Sequence, residues 1–274
     1  MRELSPNKFS VELDVGGVER VPGVLQLPAV DESAPAVLLL HGFTSRKEDM
    51  ASSIGYALKQ RGVASLAIDL PMHGERISTP RDFALRNPLV LVDAWNLALR
   101  EASLAITYLA EHPRIDSTRI AVGGYSLGAY LAIVLAAREP RIQAVALTAC
   151  GDLPASLPFR PLIRTIVDPC RAARSLGGRP LLMMNGRRDR RITPEQATVL
   201  FEAAGEPKVQ RWYEGGHWPP SSAVDEVAEW LAIQLGARPS APSSPLAAPE
   251  DSSRAPLRRT PSRSRFRTRL DPSR

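Results

Sequence analysis

Ala121-Val122-Gly123-Gly124-Tyr125-Ser126-Leu127-Gly128-Ala129-Tyr130 is the stretch on which the reading of this chain turns. An apolar run, Ile120 to Val122, leads into it, and a second, Tyr130 to Ala137, leads out. Between them Gly124-x-Ser126-x-Gly128 has the pattern of a nucleophile elbow, a serine on a tight turn between strand and helix with its hydroxyl pushed out of the backbone. The glycines have a steric reason, because strand and helix nearly touch two positions either side of the serine. Three fixed positions of common residue types are weak evidence alone, so the surrounding chain must decide.

Upstream, Phe9 to Val15 and Val21 to Leu27 alternate in polarity around Gly16-Gly17 and read as an antiparallel hairpin. Ala36 to Leu40 is continuously apolar and ends at His41-Gly42, as suits a strand buried on both faces. A helical pattern spans about Glu48 to Gln60 and closes at Arg61-Gly62, and Val63 to Ile68 is a second buried strand. Leu70 to Pro88 reads as a long polar loop, followed by an amphipathic helix to about Glu111.

Downstream of the elbow a helix is expected over Leu127 to Arg138, then strands at Ala144 to Thr148 and Leu181 to Met184. A helix from Pro194 to Ala203, a strand near Val209 to Tyr213 and a helix from Ser222 to Leu235 complete the pattern. Strand and helix alternating with short connections predict a mostly parallel central sheet with helices on both faces, the N-terminal hairpin forming one edge.

The 274 residues are 44% hydrophobic and 23% charged, the balance of an ordinary globular protein. No apolar run approaches the ~20 residues that span a bilayer, and the first residues lack the apolar core of a secretory signal. Cys150 and Cys170 are too few for a disulfide framework and read as reduced thiols, so a cytoplasmic setting is expected. The net charge of +6 belongs to the C-terminus: residues 238–274 hold nine arginines against Glu250, Asp251 and Asp271, whereas residues 1–237 carry 26 basic and 26 acidic groups. Rich in proline, serine and arginine, 238–274 reads as a disordered tail after a domain over 1–237, with no specific nucleic-acid partner expected.

A serine nucleophile needs a base within hydrogen-bond reach. Of His41, His73, His112 and His217, the last lies in Gly215-Gly216-His217-Trp218-Pro219, between the final strand and helix, on the side where the elbow opens. His112, before Pro113 at a helix end, reads as a capping cation. An imidazole base needs a carboxylate to set its tautomer. Asp189 follows a buried strand directly, although Arg187, Arg188, Arg190 and Arg191 also offer it surface ion pairs; Asp152 is the rival acid. The backbone amides of Leu127, at a helix N-terminus, and of Phe43, in His41-Gly42-Phe43-Thr44, are the candidate oxyanion donors, with His41 bracing that loop.

With these residues in place, the chain resembles a serine hydrolase of the α/β-hydrolase superfamily. His41-Gly42-Phe43, Asp69-Leu70-Pro71-Met72-His73-Gly74-Glu75-Arg76 and Gly186-x-x-Asp189-x-x-Ile192-x-Pro194 are most similar to its dienelactone-hydrolase and prolyl-oligopeptidase-like branch, in order over about residues 10–236. The order Ser126, Asp189, His217 is that of the class. The resemblance implies those three as a triad, with no metal or organic cofactor, and gives the Asp69 to Arg76 block a role at the site entrance, with His73 shaping a loop. True dienelactone hydrolases carry cysteine at the nucleophile, so Ser126 lends no support to that substrate, and a haloalkane dehalogenase would carry aspartate there. Residues 151–178, with Leu153, Leu157, Phe159, Leu162 and Ile163, suit either a small apolar lid or a packed connector. The expected activity is hydrolysis of a small-molecule carboxylic ester through an acyl-serine. The alternatives are a thioesterase or small peptidase with the same triad, and a non-catalytic scaffold whose basic tail binds an acidic partner.

Overall fold

The computed structural model describes residues 1–14, 16, 20–30, 32–77, 88–154 and 160–237. The tail from 238 onward therefore lies outside the described residues, as do Leu157 and Phe159. Nine strands form one sheet: β1 Arg2–Ser5, β2 Lys8–Leu13, β3 Val21–Gln26, β4 Ala34–Leu40, β5 Ala64–Ile68, β6 Ile115–Tyr125, β7 Ile142–Thr148, β8 Leu181–Gly186 and β9 Lys208–Tyr213. Their order across the sheet is β1-β2-β3-β5-β4-β6-β7-β8-β9. From β5 to β9 every neighbouring pair is parallel, and β1, β2 and β3 are joined antiparallel.

The expected hairpin is β2–β3, with Lys8 opposite Gln26 and Leu13 opposite Val21. It is not the sheet's edge, because β1 adds a third antiparallel strand outside it. Arg-Glu-Leu-Ser has no apolar alternation, and all four residues are exposed, so no periodicity marked this strand. At the centre β4 is buried at every position, as a strand covered on both faces requires.

One face of the sheet is covered by α1 Lys47–Met50, a π turn Ala51–Gly55 and α2 Tyr56–Gln60, which form one continuous helical run. The sequence read this run as a single regular helix. The π turn puts Gly55 close to Gln26 and Ser65, and the buried Gln26 side chain donates to the Ala51 carbonyl at 2.5 Å. At the far end of the chain α8 Ser221–Gln234 packs on the same face, with Val227, Ala228 and Leu231 in one cluster with Leu39, Leu58 and Leu182.

The opposite face is covered by α3 Pro88–Glu111, α4 Leu127–Ala136, α6 Pro169–Arg174 and α7 Pro194–Ala203. Helix α4 is apolar all round and buried from Gly128 to Ala136 except at Tyr130, as befits a helix wedged between the sheet and its neighbours. Helix α7 starts where Pro194 predicts it, with Thr193 and Gln196 in a capping box that contributes about 1 kcal/mol. At the end of α3, His112 Nδ1 accepts from the Arg114 amide at 3.2 Å, and burial lowers its pKa. It is therefore a neutral acceptor, and the capping-cation reading is corrected: the chain turns back so that an amide, not a helix carbonyl, faces the ring.

Within 151–178 a short helix, α5 Arg160–Ile166, precedes α6. Cys170, Ala172, Ala173 and Leu176 belong to the main core.

Candidate active site

Because β4 to β9 run parallel, their carboxyl ends open on one edge, and the register sets Leu40 beside Gly124, Tyr125 beside Thr148 and Gly186 beside Tyr213. The turns leaving β4, β6, β8 and β9 thus meet there. β7 lies between β6 and β8 and exits through Ala149, Cys150 and Gly151, small and buried, and residues from the two strands beyond it reach back across its end.

Ser126 sits between β6 and α4 with φ 52° and ψ −114°, a left-handed conformation that a side chain rarely adopts. Its amide donates to the Thr148 carbonyl at 2.9 Å, which ties the turn to the neighbouring strand. A Cβ on Gly124 would lie 2.2 Å from the Gly128 carbonyl oxygen, and one on Gly128 would lie 2.1 Å from that of Leu40. Both neighbours are backbone, so neither clash relaxes by a side-chain rotation. The elbow glycines are required by contact.

The serine hydroxyl lies 2.9 Å from Nε2 of His217, whose Nδ1 lies 2.7 Å from Oδ2 of Asp189. A carboxylate only accepts, so Nδ1 carries the proton, leaving the Nε2 lone pair to face the serine hydroxyl. The other carboxylate oxygen, Oδ1, accepts from the amides of Arg191 at 2.8 Å and Ile192 at 3.1 Å. Asp189 is 3% exposed, and its carboxylate faces His217 and these amides rather than the flanking arginines. Arg187 instead pairs with Glu214 at 3.2 Å and lies over the Trp212 ring.

The turns bearing Asp189 and His217 are tied to each other. The Arg188 amide donates to Gly215 at 2.8 Å, and the Arg187 amide donates to Tyr213 at 3.0 Å. The hydroxyls of Tyr213 and Tyr125 both donate to the His217 carbonyl, at 3.2 and 3.4 Å. These tyrosines escaped the sequence reading, although Tyr125 directly precedes the serine of the elbow pattern and both end strands at the edge where the site was expected.

Asp152 is committed elsewhere. Its carboxylate accepts from Arg160 at 3.0 Å and from Arg164 at 2.8 and 2.7 Å, which anchors α5 to the end of β7.

The candidate oxyanion donors are placed by the same edge. Leu127 is the first residue of α4, where an amide has no acceptor within its own helix. The loop after β4 passes close by: a Cβ on Gly42 would lie 2.8 Å from the Tyr125 ring and 3.5 Å from Ser126 Cβ. His41, fully buried, holds the Gly42 carbonyl through Nδ1 at 2.8 Å and accepts the Leu70 amide at Nε2 at 3.1 Å. Burial is the main cause that lowers its pKa to about 4, so it braces as a neutral ring. Beneath this loop, Lys47 Nζ bonds Asp69 at 2.9 Å and Glu75 at 2.6 Å. Burial opposes its charge, but bonds to Asp69, Glu48 and Glu75 outweigh that and raise its pKa above the ordinary lysine range.

Between α1 and α8 a cavity of about 200 Å³ is lined by Met50, Gly123, Tyr125, Ala146, Trp218 and Pro219. Among the described residues no group of three or more histidine, cysteine, aspartate or glutamate side chains is arranged to hold a metal ion. No described helix is long and apolar enough to cross a membrane.

The arrangement can activate a hydroxyl, stabilise the resulting imidazolium and meet an oxyanion. Esterase YjfP of Escherichia coli K12 is 30% identical over 198 residues, 64% of this chain and 77% of that protein. Polyketide transferase ATR5 of Stachybotrys chlorohalonatus is 26% identical over 212 residues, 71% of this chain and 67% of that one. The crystal structure of TT1662 from Thermus thermophilus superposes with a TM-score of 0.69 at 23% identity, covering 84% of this chain and 99% of that one. The sequence profile of the alpha/beta hydrolase family matches residues 37–263, and the chain belongs to that family.

Proposed function

We propose that this protein hydrolyses carboxylic esters through an acyl-enzyme on Ser126. The observation that carries the reading is the unbroken chain Ser126–His217–Asp189, at 2.9 and 2.7 Å. His217 Nε2 takes the serine proton as Oγ attacks the ester carbonyl, and Asp189 stabilises the imidazolium through Nδ1–H. The carbonyl oxygen becomes an oxyanion held by the amides of Leu127 and Phe43. As the tetrahedral adduct collapses, the imidazolium delivers its proton to the departing alcohol. Water then attacks the acyl-serine, with His217 again as base, and releases the acid. Kinship with an esterase supports an ester substrate.

The test is turnover of p-nitrophenyl acetate by Ser126→Ala, with covalent labelling by a fluorophosphonate. Loss of a triad serine lowers kcat by about 10⁶-fold. Labelling at Ser126 in the parent and no turnover in the variant are expected. A variant that still hydrolyses the ester at the parent's rate refutes the assignment.

The similarity to a polyketide transferase supports a second reading, in which the same acyl-serine is intercepted by an alcohol or amine other than water. Adding a primary alcohol to the assay separates the two. Transfer product exceeding free acid favours the second reading, and acid alone favours the first.

A further inference from the structure

The hydrogen-bond geometry around Phe43 points to His73 as a positioning residue that pins the oxyanion loop. This rests on the reading of the Phe43 amide as an oxyanion donor.

The loop between β4 and α1 is fastened at both ends to one short segment, Asp69-Leu70. At its start His41 Nε2 accepts the Leu70 amide at 3.1 Å. At its end the Lys47 amide donates to Asp69 Oδ1, and Lys47 Nζ donates to Asp69 Oδ2, both at 2.9 Å. In the middle of the loop Phe43 is 38% exposed, and the Ser45 amide closes a turn onto the Gly42 carbonyl at 3.1 Å. There His73 intervenes, with Nε2 at 3.0 Å from the Phe43 carbonyl oxygen and its ring edge-on to Phe43, the centroids 5.5 Å apart.

The two imidazoles divide the work. The Gly42 carbonyl, held by His41, shares a peptide plane with the Phe43 amide. The Phe43 carbonyl, held by His73, belongs to the next plane. Both planes on either side of the Phe43 Cα are thus pinned by side chains, and the direction of the amide between them is set.

The turn carrying His73 is itself over-determined. Met72 is held at φ 63° and Gly74 at φ 54°, where a Cβ would lie 2.2 Å from the Asp69 carboxylate. The Glu75 amide donates to that carboxylate at 3.0 Å, and His73 Nδ1 lies 2.8 Å from the Pro71 carbonyl. Strained backbone of this kind persists where the surroundings enforce it. Carbonyl oxygens accept only, so the Phe43 contact requires a proton on Nε2.

The test compares full-length His73→Phe with His73→Gln, whose amide group keeps a donor. Turnover of p-nitrophenyl acetate is read as kcat per fluorophosphonate-reactive site, which removes any unfolded fraction. Nuclear magnetic resonance follows the Phe43 and Thr44 amides and the His73 ring nitrogens. A displaced oxyanion donor costs about tenfold to a hundredfold in kcat. His73→Phe should show that loss with KM within about threefold, because the interaction is made in the transition state. His73→Gln should recover part of it, and the parent's Nε2 should carry the shift of a protonated nitrogen.

A purely structural role would lower stability and the labelled fraction while leaving kcat per site unchanged, which overturns the proposal. Unmoved Phe43 and Thr44 resonances in His73→Phe overturn it too. A parent that neither labels at Ser126 nor turns over ester refutes the serine-hydrolase reading instead; the loop resonances alone then decide whether His73 is the brace. If His73→Phe does not fold, His73→Gln carries both measurements: kcat per site and loop resonances equal to the parent's with an unprotonated Nε2 overturn the brace.

Discussion

Replacing Tyr125 and Tyr213 by phenylalanine, singly and together, tests whether the position of His217 depends on two hydroxyls sharing one carbonyl. Both rings are buried, at 8% and 7% exposure, and each substitution removes a single oxygen. The bonds, at 3.4 and 3.2 Å, are longer than the ~2.7–2.8 Å usual for hydroxyl donors. Each single loss should therefore fall at the low end of the range for a neutral hydrogen bond, about 0.5 kcal/mol. In either single variant the carbonyl keeps one donor. In the double variant both hydroxyl donors are gone from a half-buried carbonyl, so the cost should sit at the low end of that for an unsatisfied acceptor, about 1 kcal/mol. The double change should exceed the sum of the singles by about 1 kcal/mol. Urea unfolding of the four proteins measures that coupling, and kcat should fall about tenfold in the double variant alone as His217 loses its anchor. Stabilities that add within about 0.3 kcal/mol would refute the shared-acceptor argument. Burial is the chief cause raising both tyrosine pKa values. A folded value above the unfolded one means the contribution is complete below the ordinary tyrosine value near 10 and is lost as the pH rises further. The double variant should therefore lose less stability than the parent across the alkaline range above about pH 10.

Asp189→Asn should lower kcat about 10⁴-fold, because an amide can hold the imidazole in the wrong tautomer. Asp152→Asn should leave kcat within about threefold and instead expose residues 160–168 to proteolysis, since Arg160 and Arg164 lose their carboxylate. Lys47→Met leaves the fully buried Asp69 carboxylate without its cation, and such a loss costs about 3–5 kcal/mol in urea unfolding. Burial pushes the Cys170 thiol up to about 11 and raises that of Cys150 further. Neither should be alkylated by iodoacetamide at about pH 8 until the protein is unfolded, as mass spectrometry would show.

How much of this was legible beforehand follows from where the information lies. Short-range steric demands are written into neighbouring residues. Gly124-x-Ser126-x-Gly128 announces a turn too tight for side chains, and the clashes at 2.2 and 2.1 Å are the reason. Continuous apolar runs such as Ala36 to Leu40 mark strands covered on both faces, and Pro194 after Thr193 marks a helix start. Strand β1 was illegible because its four exposed residues carry no pattern, and it joins the sheet by backbone pairing with β2. The π turn was illegible because the side chain that meets its Ala51 carbonyl, Gln26, lies 25 residues away.

The sequence by itself determined the fold class, the elbow and the shortlist of acids and bases, because each depends on residue type and local period. Only the tertiary structure shows which of them come together. Asp189 and Asp152 both follow parallel strands, but the turn of Asp189 reaches His217, whereas two arginines occupy the Asp152 carboxylate. Likewise nothing local says that Tyr125 and Tyr213 meet on one carbonyl, or that His41 and His73 hold consecutive carbonyls of one loop. Those partners come from different strands, and only the order and register of the sheet bring them within hydrogen-bond reach.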